Sequence, residues 1–319
     1  MNDKMKKKKP IFKKWWFWVI IVVLIAIFAM SGSDESKKEI VSVDGQEMEL
    51  SENTAKSDES QEEVTMDATK TGEISIEEQV LLDQDGIKIT AIEYVADSIW
   101  GDGIKLLIEN NSDKTVGIGC ETLIVNDYMI DNLFTTTVAA GKKDNETLDL
   151  YSSELEAAGI ENVGQIEIKF YLYDADTYMT TYTADMVTIQ TSAYDEMDVT
   201  PEDAGQELYN QDGVRIVGKY VDENSIWGSA ILLYMENNSG KNIIVSCDKL
   251  SVNGYMITSF LYSTINDGKM IIDDIALLSS DLEENGIESI EEVELVFDII
   301  DAESYSTITS SDSISFTLN

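Results

Sequence analysis

Trp100 and Trp227 are the residues best suited to contact a ligand, because an indole offers a large flat apolar face and one N–H donor. Each stands in the same string, Ser-Ile-Trp-Gly, just ahead of a β-rich run. That place suits a core tryptophan packed between two sheets equally well, so both readings stand. Asp83-Gln84-Asp85-Gly86 places two carboxylates ahead of a glycine, as a calcium loop does. The first and last ligand positions of such a loop fall on Leu81 and Ile92, however, and neither can ligate. Asn210-Gln211-Asp212-Gly213 has the same gaps, so both strings are expected to be tight turns leading into strands. Asn110-Asn111-Ser112 and Asn237-Asn238-Ser239 follow apolar runs and precede a lysine, which is turn chemistry. They also read as glycosylation sequons, of consequence only in a eukaryotic secretory pathway.

What is missing narrows the chemistry further. The chain has no histidine, which removes the Ser-His-Asp triad, the Cys-His pair and His-ligated zinc. Cys120 and Cys247 are too few for a disulfide scaffold or a cysteine-built zinc site. They are read as small buried apolar residues, with a bridge between the two halves of the chain as the other reading. With 61 acidic residues, carboxylate pairs arise by chance, so a pair says nothing about glycoside cleavage. No glycine loop of the phosphate-cradling kind is present, and nothing marks a Ser-Lys dyad. The expectation is a protein that is not an enzyme and uses no cofactor or bound metal.

The net charge is −39, and it is unevenly placed. Residues 1–14 hold seven lysines against Asp3 alone, so the acidic excess lies wholly beyond them. Such a surface repels nucleic acid, whose binding depends on Lys and Arg. Cationic partners and loosely held divalent ions remain compatible, and the charge also serves solubility.

From Trp15 to Met30 no residue is charged, and the flanking residues extend the stretch enough for 15–32 to span a bilayer. Trp15, Trp16 and Trp18 lie beside the lysines, where amphipathic rings favour the headgroup layer. The lysine excess makes residues 1–14 a cytoplasmic polybasic segment and puts the rest outside. A cleaved signal peptide shares these features and is the competing reading; the bulky tryptophans favour a resident single-pass helix. Residues 33–73 are rich in Ser, Glu, Asp and Lys and are expected to form a disordered acidic stalk.

Beyond the stalk the chain repeats itself. Moved by 127 residues it lies on itself without a gap: Gln84-Asp85-Gly86 meets Gln211-Asp212-Gly213, and Cys120 meets Cys247. Likewise Tyr128-Met129-Ile130 meets Tyr255-Met256-Ile257, and Asp174-Ala175 with Tyr178 meets Asp301-Ala302 with Tyr305. A period this long marks a duplicated domain rather than a solenoid, with repeat 1 at 74–192, a linker at 193–206 and repeat 2 at 207–319. Gln165 to Tyr173 alternates apolar and polar residues, as a strand with one buried face does. Ile87–Val95, Gly103–Glu109, Val116–Val125 and Tyr178–Ile189 are further predicted strands. One helix is predicted in each copy, from Ser152 or Ser153 as cap to Gly159, with Ser280 to Glu284 opposite. The fold class expected is all-β: two tandem immunoglobulin-like β-sandwich domains after a transmembrane helix and a stalk.

Asn-Asn-Ser-(Asp/Gly)-Lys, Val-Asn-(Asp/Gly)-Tyr-Met-Ile, a Gly-Lys turn and Ser-Ser-x-Leu-Glu-x-x-Gly-Ile together resemble Ig-like extracellular domains of unknown function. Those domains occur on surface proteins and lipoproteins of Gram-positive bacteria. The resemblance implies a β-sandwich at the cell surface and no established activity. The functional expectation is a noncatalytic, membrane-anchored extracytoplasmic module pair for adhesion, ligand binding or envelope organisation. Its partners would be the lipid bilayer through 15–32 and an unknown extracellular protein or envelope ligand. The alternatives are an extracytoplasmic hydrolase with an unrecognised acidic site and a purely structural surface spacer.

Overall fold

The structure is a computed structural model that describes residues 74–98, 101–225 and 228–317. The predicted cytoplasmic segment, membrane helix and stalk, together with Trp100 and Trp227, lie outside the described residues. No helix among the described residues is long and apolar enough to cross a membrane.

Strands dominate, as the two-residue periodicity requires. Repeat 1 runs β1 (Gln79–Gln84), β2 (Ile87–Ser98), β3 (Gly101–Asn110), β4 (Val116–Val125), β5 (Tyr128–Met129), β6 (Thr135–Val138), β7 (Lys143–Tyr151), helix α1 (Ser152–Ala157), β8 (Gln165–Asp174), β9 (Thr180–Thr183) and β10 (Val187–Gln190). Repeat 2 runs β11 (Gln206–Gln211), β12 (Val214–Ser225), β13 (Gly228–Asn237), β14 (Ile243–Val252), β15 (Tyr255–Met256), β16 (Ser259–Phe260), β17 (Tyr262–Ile265), β18 (Lys269–Leu278), helix α2 (Ser279–Glu284), β19 (Val293–Asp301), β20 (Thr307–Ser310) and β21 (Ile314–Phe316). The sequence missed β1, β5, β6 and β7, whose alternation is weak. It also fused β9 with β10, which part at Ala184, a residue buried on the core.

In repeat 1 the sheet β1-β2-β3-β7 faces a sheet built on β4 and β8. Ile89, Ile104 and Leu148 from the first meet Ile118, Ile168 and Phe170 from the second in one core. Repeat 2 builds its own core from Ile216, Leu233 and Ile275 against Val245, Leu295 and Phe297. Each is a sandwich of two sheets with alternate residues turned inward, the fold class anticipated from sequence. Burying those side chains supplies the main driving force for folding.

Turn chemistry sets the registers. Asp85 and Gly86 both have positive φ (51° and 82°), as do Asp212 and Gly213 (52° and 82°). This is the geometry of a two-residue hairpin loop with the right-handed twist of its strands, and Gln84 pairs with Ile87 across it. Asn110 is fully buried, and its side-chain amide donates to the carbonyls of Lys114 and Val138, both at 2.8 Å. Its Oδ1 accepts from the N–H and hydroxyl of Ser112. Asn237 repeats this clamp on Lys241, Ile265 and Ser239. The Asn-Asn-Ser strings are therefore turns held by a buried amide.

The helices end as foreseen and begin otherwise. Gly159 (φ 69°) lets Ile160 N–H reach back to the Leu155 carbonyl at 2.8 Å, and Gly286 does the same for Ile287 and Leu282. Neither Ser152 nor Ser153 caps α1. The cap is Tyr151, without a side-chain bond, because β7 runs straight into the helix and leaves no residue between them.

Candidate functional site

The sequence-favoured candidates cannot be placed by side chain: Trp100 and Trp227 sit beyond the described residues. Their neighbours form hairpin tips, where Ser98 pairs with Gly101 and Ser225 with Gly228. The best-formed site among the described residues lies instead where the repeats meet.

That joint begins with the hairpin of β4 and β5. Asn126 (φ 46°) and Asp127 (φ 67°) make the turn, and the Asn126 side chain ties it to the loop before β8 through the N–H groups of Gly164 and Gln165. The turn carries Tyr128 to the start of β18. Met270 N–H donates to the Asp127 carbonyl at 3.0 Å, and one parallel pairing, Met270 with Tyr128, joins the two sheets into one of 11 strands. Tyr128 packs with Val217, Tyr234 and Met270 of repeat 2, and Met129 packs on the second core. Lys269 Nζ binds Asp127 at 2.6 Å and Glu167 at 2.5 Å. Burial works to lower the Lys269 pKa, but its two carboxylate partners outweigh it and raise it.

The linker is stitched to both sides. Glu202 N–H donates to the Tyr128 hydroxyl at 2.8 Å, the Lys219 ammonium donates to the Glu202 carbonyl, and Arg215 holds Asp203 at 2.7 Å. Arg215 also lies over the ring of Tyr234, 5.8 Å from its centre. β11 starts at Gln206, the last residue assigned to the linker by sequence.

Beside the joint the two repeats wall a cleft of about 600 Å³. Met129, Lys169 and Met186 line it from repeat 1, and Ile244, Tyr262 and Tyr305 from repeat 2. Tyr262 and Tyr305 are 62% and 71% exposed and border the same cleft. Glu121, Asp185 and Glu303 make the rim acidic, with Lys169 held to Glu121 at 2.9 Å. A neighbouring recess of about 310 Å³ shares Glu121, Thr122, Met129, Tyr262 and Thr264 and reaches Asp131 and Asp273. A hollow of about 680 Å³ at Ser75–Gln79 and Thr188–Ser192 is larger, but polar and without an aromatic side chain. The cleft is the better candidate because ligand sites combine apolar walls with a few convergent polar groups.

Around the recess, burial pushes the Glu154 carboxyl up to about 7, opposed by the Asp131 N–H that it accepts at 2.7 Å. Asp273 is likewise raised by burial, though the Ser263 hydroxyl donates to it at 2.5 Å. These carboxylates form no metal centre: among the described residues no group of His, Cys, Asp or Glu could hold an ion. Cys120 and Cys247 are both free. Cys120 is buried and Cys247 half-buried, and burial pushes both thiols up to about 12, far from the thiolate a nucleophile needs.

Sequence reasoning missed the cleft residues. Tyr178 and Tyr305 stood out only as a matched pair, and nothing local distinguishes Tyr305 as the one that borders a second domain.

No protein-family model matches the chain, and no curated protein does. Among solved structures it is similar to red sea bream transglutaminase, at 9% identity and a TM-score of 0.19. That match covers 76% of this chain and 31% of the transglutaminase, so the chain spans about a third of that enzyme's length. It is also similar to a protein of unknown function from Porphyromonas gingivalis, at 8% identity and a TM-score of 0.18, over 77% of this chain and 98% of the other. At such scores the likeness carries no argument for a family or an activity, and the β-sandwich assignment rests on the chain's own sheets.

Proposed function

We propose that this chain is a noncatalytic ligand-binding module pair, anchored through residues 15–32 and held outside the cytoplasm, that receives its ligand in the cleft between the repeats. One observation carries the reading: two exposed tyrosines of repeat 2 face methionines and a lysine of repeat 1 across a joint fixed by strand pairing and a doubly paired lysine. Such a surface belongs to neither copy alone, which gives duplication a purpose beyond length. The absence of histidine and the unactivated thiols support a binding role over a hydrolytic one. The resemblance to Ig-like surface domains of Gram-positive bacteria supports a ligand in the cell envelope. The continuous sheet through both repeats favours a second reading, a stiff surface spacer.

The test is a binding screen of the full chain in lipid nanodiscs against peptidoglycan fragments, glycans and peptides. Saturable binding without turnover, weakened roughly tenfold by Tyr262→Ala or Tyr305→Ala, is the expected result. Turnover of any probe would overturn the noncatalytic reading. Binding indifferent to both substitutions would remove the cleft, and no binding at all would leave the spacer. Protease added to intact cells should cleave beyond the stalk; protection there would refute the topology.

A further inference from the structure

The contact between the repeats is made of parts that the chain possesses twice, and only one set is used within the molecule. Tyr128, at the tip of the β4–β5 hairpin, is 2% exposed because repeat 2 covers it. Its counterpart Tyr255 is 50% exposed and Met256 is 67% exposed, although the tip keeps the same Tyr-Met-Ile sequence. The receiving edge is duplicated too. β18 takes Tyr128 along its free side, whereas β7 pairs with β3 at the end of its sheet and leaves Lys143, Asp144 and Asn145 exposed. The ion pair that locks the joint has counterparts of the same charge: Lys142 stands for Lys269 and Glu294 for Glu167, both exposed.

We propose that the same contact forms between chains, head to tail, with the Tyr255–Met256 tip of one copy lying along the β7 edge of the next and Glu294 pairing with Lys142. The differences between the two sets fit this occupant. Where repeat 2 receives the tip with Met270, repeat 1 offers Lys143, paired with Glu109; Lys88 lies across that glutamate, as Arg215 lies across Glu236 in repeat 2. Where the first tip is backed by Gly164 and Gln165, the second is backed by Glu291 and Glu292, whose N–H groups bond Asn253. An edge carrying Lys88, Lys142 and Lys143 against Glu109 and Asp144 thus faces an acidic tip in a chain of net charge −39. Apolar burial within the chain gives way to charge complementarity between chains, and Asp127 is replaced by Gly254, so the second contact is the weaker one. Because donor and acceptor are different surfaces, each added copy leaves one of each free, and the contact propagates as a row until a ring closes.

Sedimentation velocity of the full chain in detergent tests this. Concentration-dependent oligomers are expected at low salt and should dissociate as salt rises. Lys142→Glu or Glu294→Lys alone should weaken association roughly threefold or more, and the two together should restore it. Tyr255→Ser should weaken it roughly tenfold. Mixing Tyr255→Ser chains with Lys142→Glu chains should give dimers and nothing longer, since each retains the half the other lacks. Monomers at every concentration in low salt would overturn the proposal. So would oligomers indifferent to both charge reversals, which would point to a symmetric apolar contact.

Discussion

Glu154 in repeat 1 and Asp281 in repeat 2 occupy the same place in their modules, and each accepts the backbone N–H of the loop after the tip hairpin, from Asp131 and Thr258 respectively. Their pKa values nevertheless move in opposite directions. Glu154 lies by the joint with Asp131 and Asp273 around it, and burial drives it up. At Asp281 desolvation counts for less, and the same kind of hydrogen bond, with help from the Thr258 and Ser280 hydroxyls, drives it down. Local chemistry is shared by the copies, and the neighbour decides what it does. The outer faces differ in the same spirit. In repeat 1 the rings of Tyr171 and Tyr173 lie flat on Gly119 and Gly117, and Tyr178 stacks on Tyr173 at 6.1 Å. In repeat 2 those places hold Ser246, Ile244, Asp298 and Ile300.

The two repeats agree most closely at their buried asparagines, Asn110 and Asn237. Asn110→Ala and Asn237→Ala each remove the side-chain donor to a buried carbonyl, that of Val138 or Ile265, together with the rest of the clamp, and should cost about 2–4 kcal/mol apiece, similar in both repeats. Urea unfolding reads this, and a large inequality between the two would mean the clamps are not equivalent.

Next comes the joint. Lys269→Ala leaves Glu167, itself mostly buried, without its cation and should cost about 1–3 kcal/mol. Energy transfer between labels on the two repeats should broaden at the same time. The equivalent Lys142→Ala should leave the isolated chain unchanged, because Lys142 is exposed.

Gly117→Val is the third case. A Cβ there would fall inside the Tyr173 ring, so the ring must leave and take the tyrosine stack with it, at about 1–2 kcal/mol. Near-UV circular dichroism should report the lost stack. Ile244→Val at the matching position should cost about 1 kcal/mol with no such spectral change.

The smallest effect is the pH dependence. A carboxyl held above its ordinary value binds a proton more tightly folded than unfolded. Its contribution is therefore complete below pH 4.5 and is lost as pH rises toward 7 for Glu154. Asp281 acts in reverse, contributing above 3.8 and fading as pH falls below that. Glu154→Gln should flatten the decline between pH 4.5 and 7, whereas Asp281→Asn should change only the acid limb. A decline unaltered by Glu154→Gln would show that Asp273, whose carboxyl burial also raises, carries it.

Much of the frame was legible because it is local. The alternation from Gln165 to Tyr173 marks β8, and the Asp-Gly pairs mark hairpin loops because few other residues tolerate positive φ at both positions. The Asn-Asn-Ser strings announced turns, though not that the first asparagine would be buried. Less could be read where the determinant is distant in the chain. Lys269 and Glu167 are 102 residues apart, and nothing near either one signals the other. Ser152 resembled a helix cap, yet a cap requires a break in the strand before it, and β7 supplies none.

The residues themselves determined the duplicated plan, the inward-facing apolar rows and the turns, since periodicity and backbone sterics act over a few neighbours. Only packing decided that Tyr128 is covered while Tyr255 is open, that Glu154 and Asp281 titrate apart, and that a cleft exists. Desolvation depends on which distant surface comes to rest on a group, and the Tyr-Met-Ile string shared by the two copies carries no record of that.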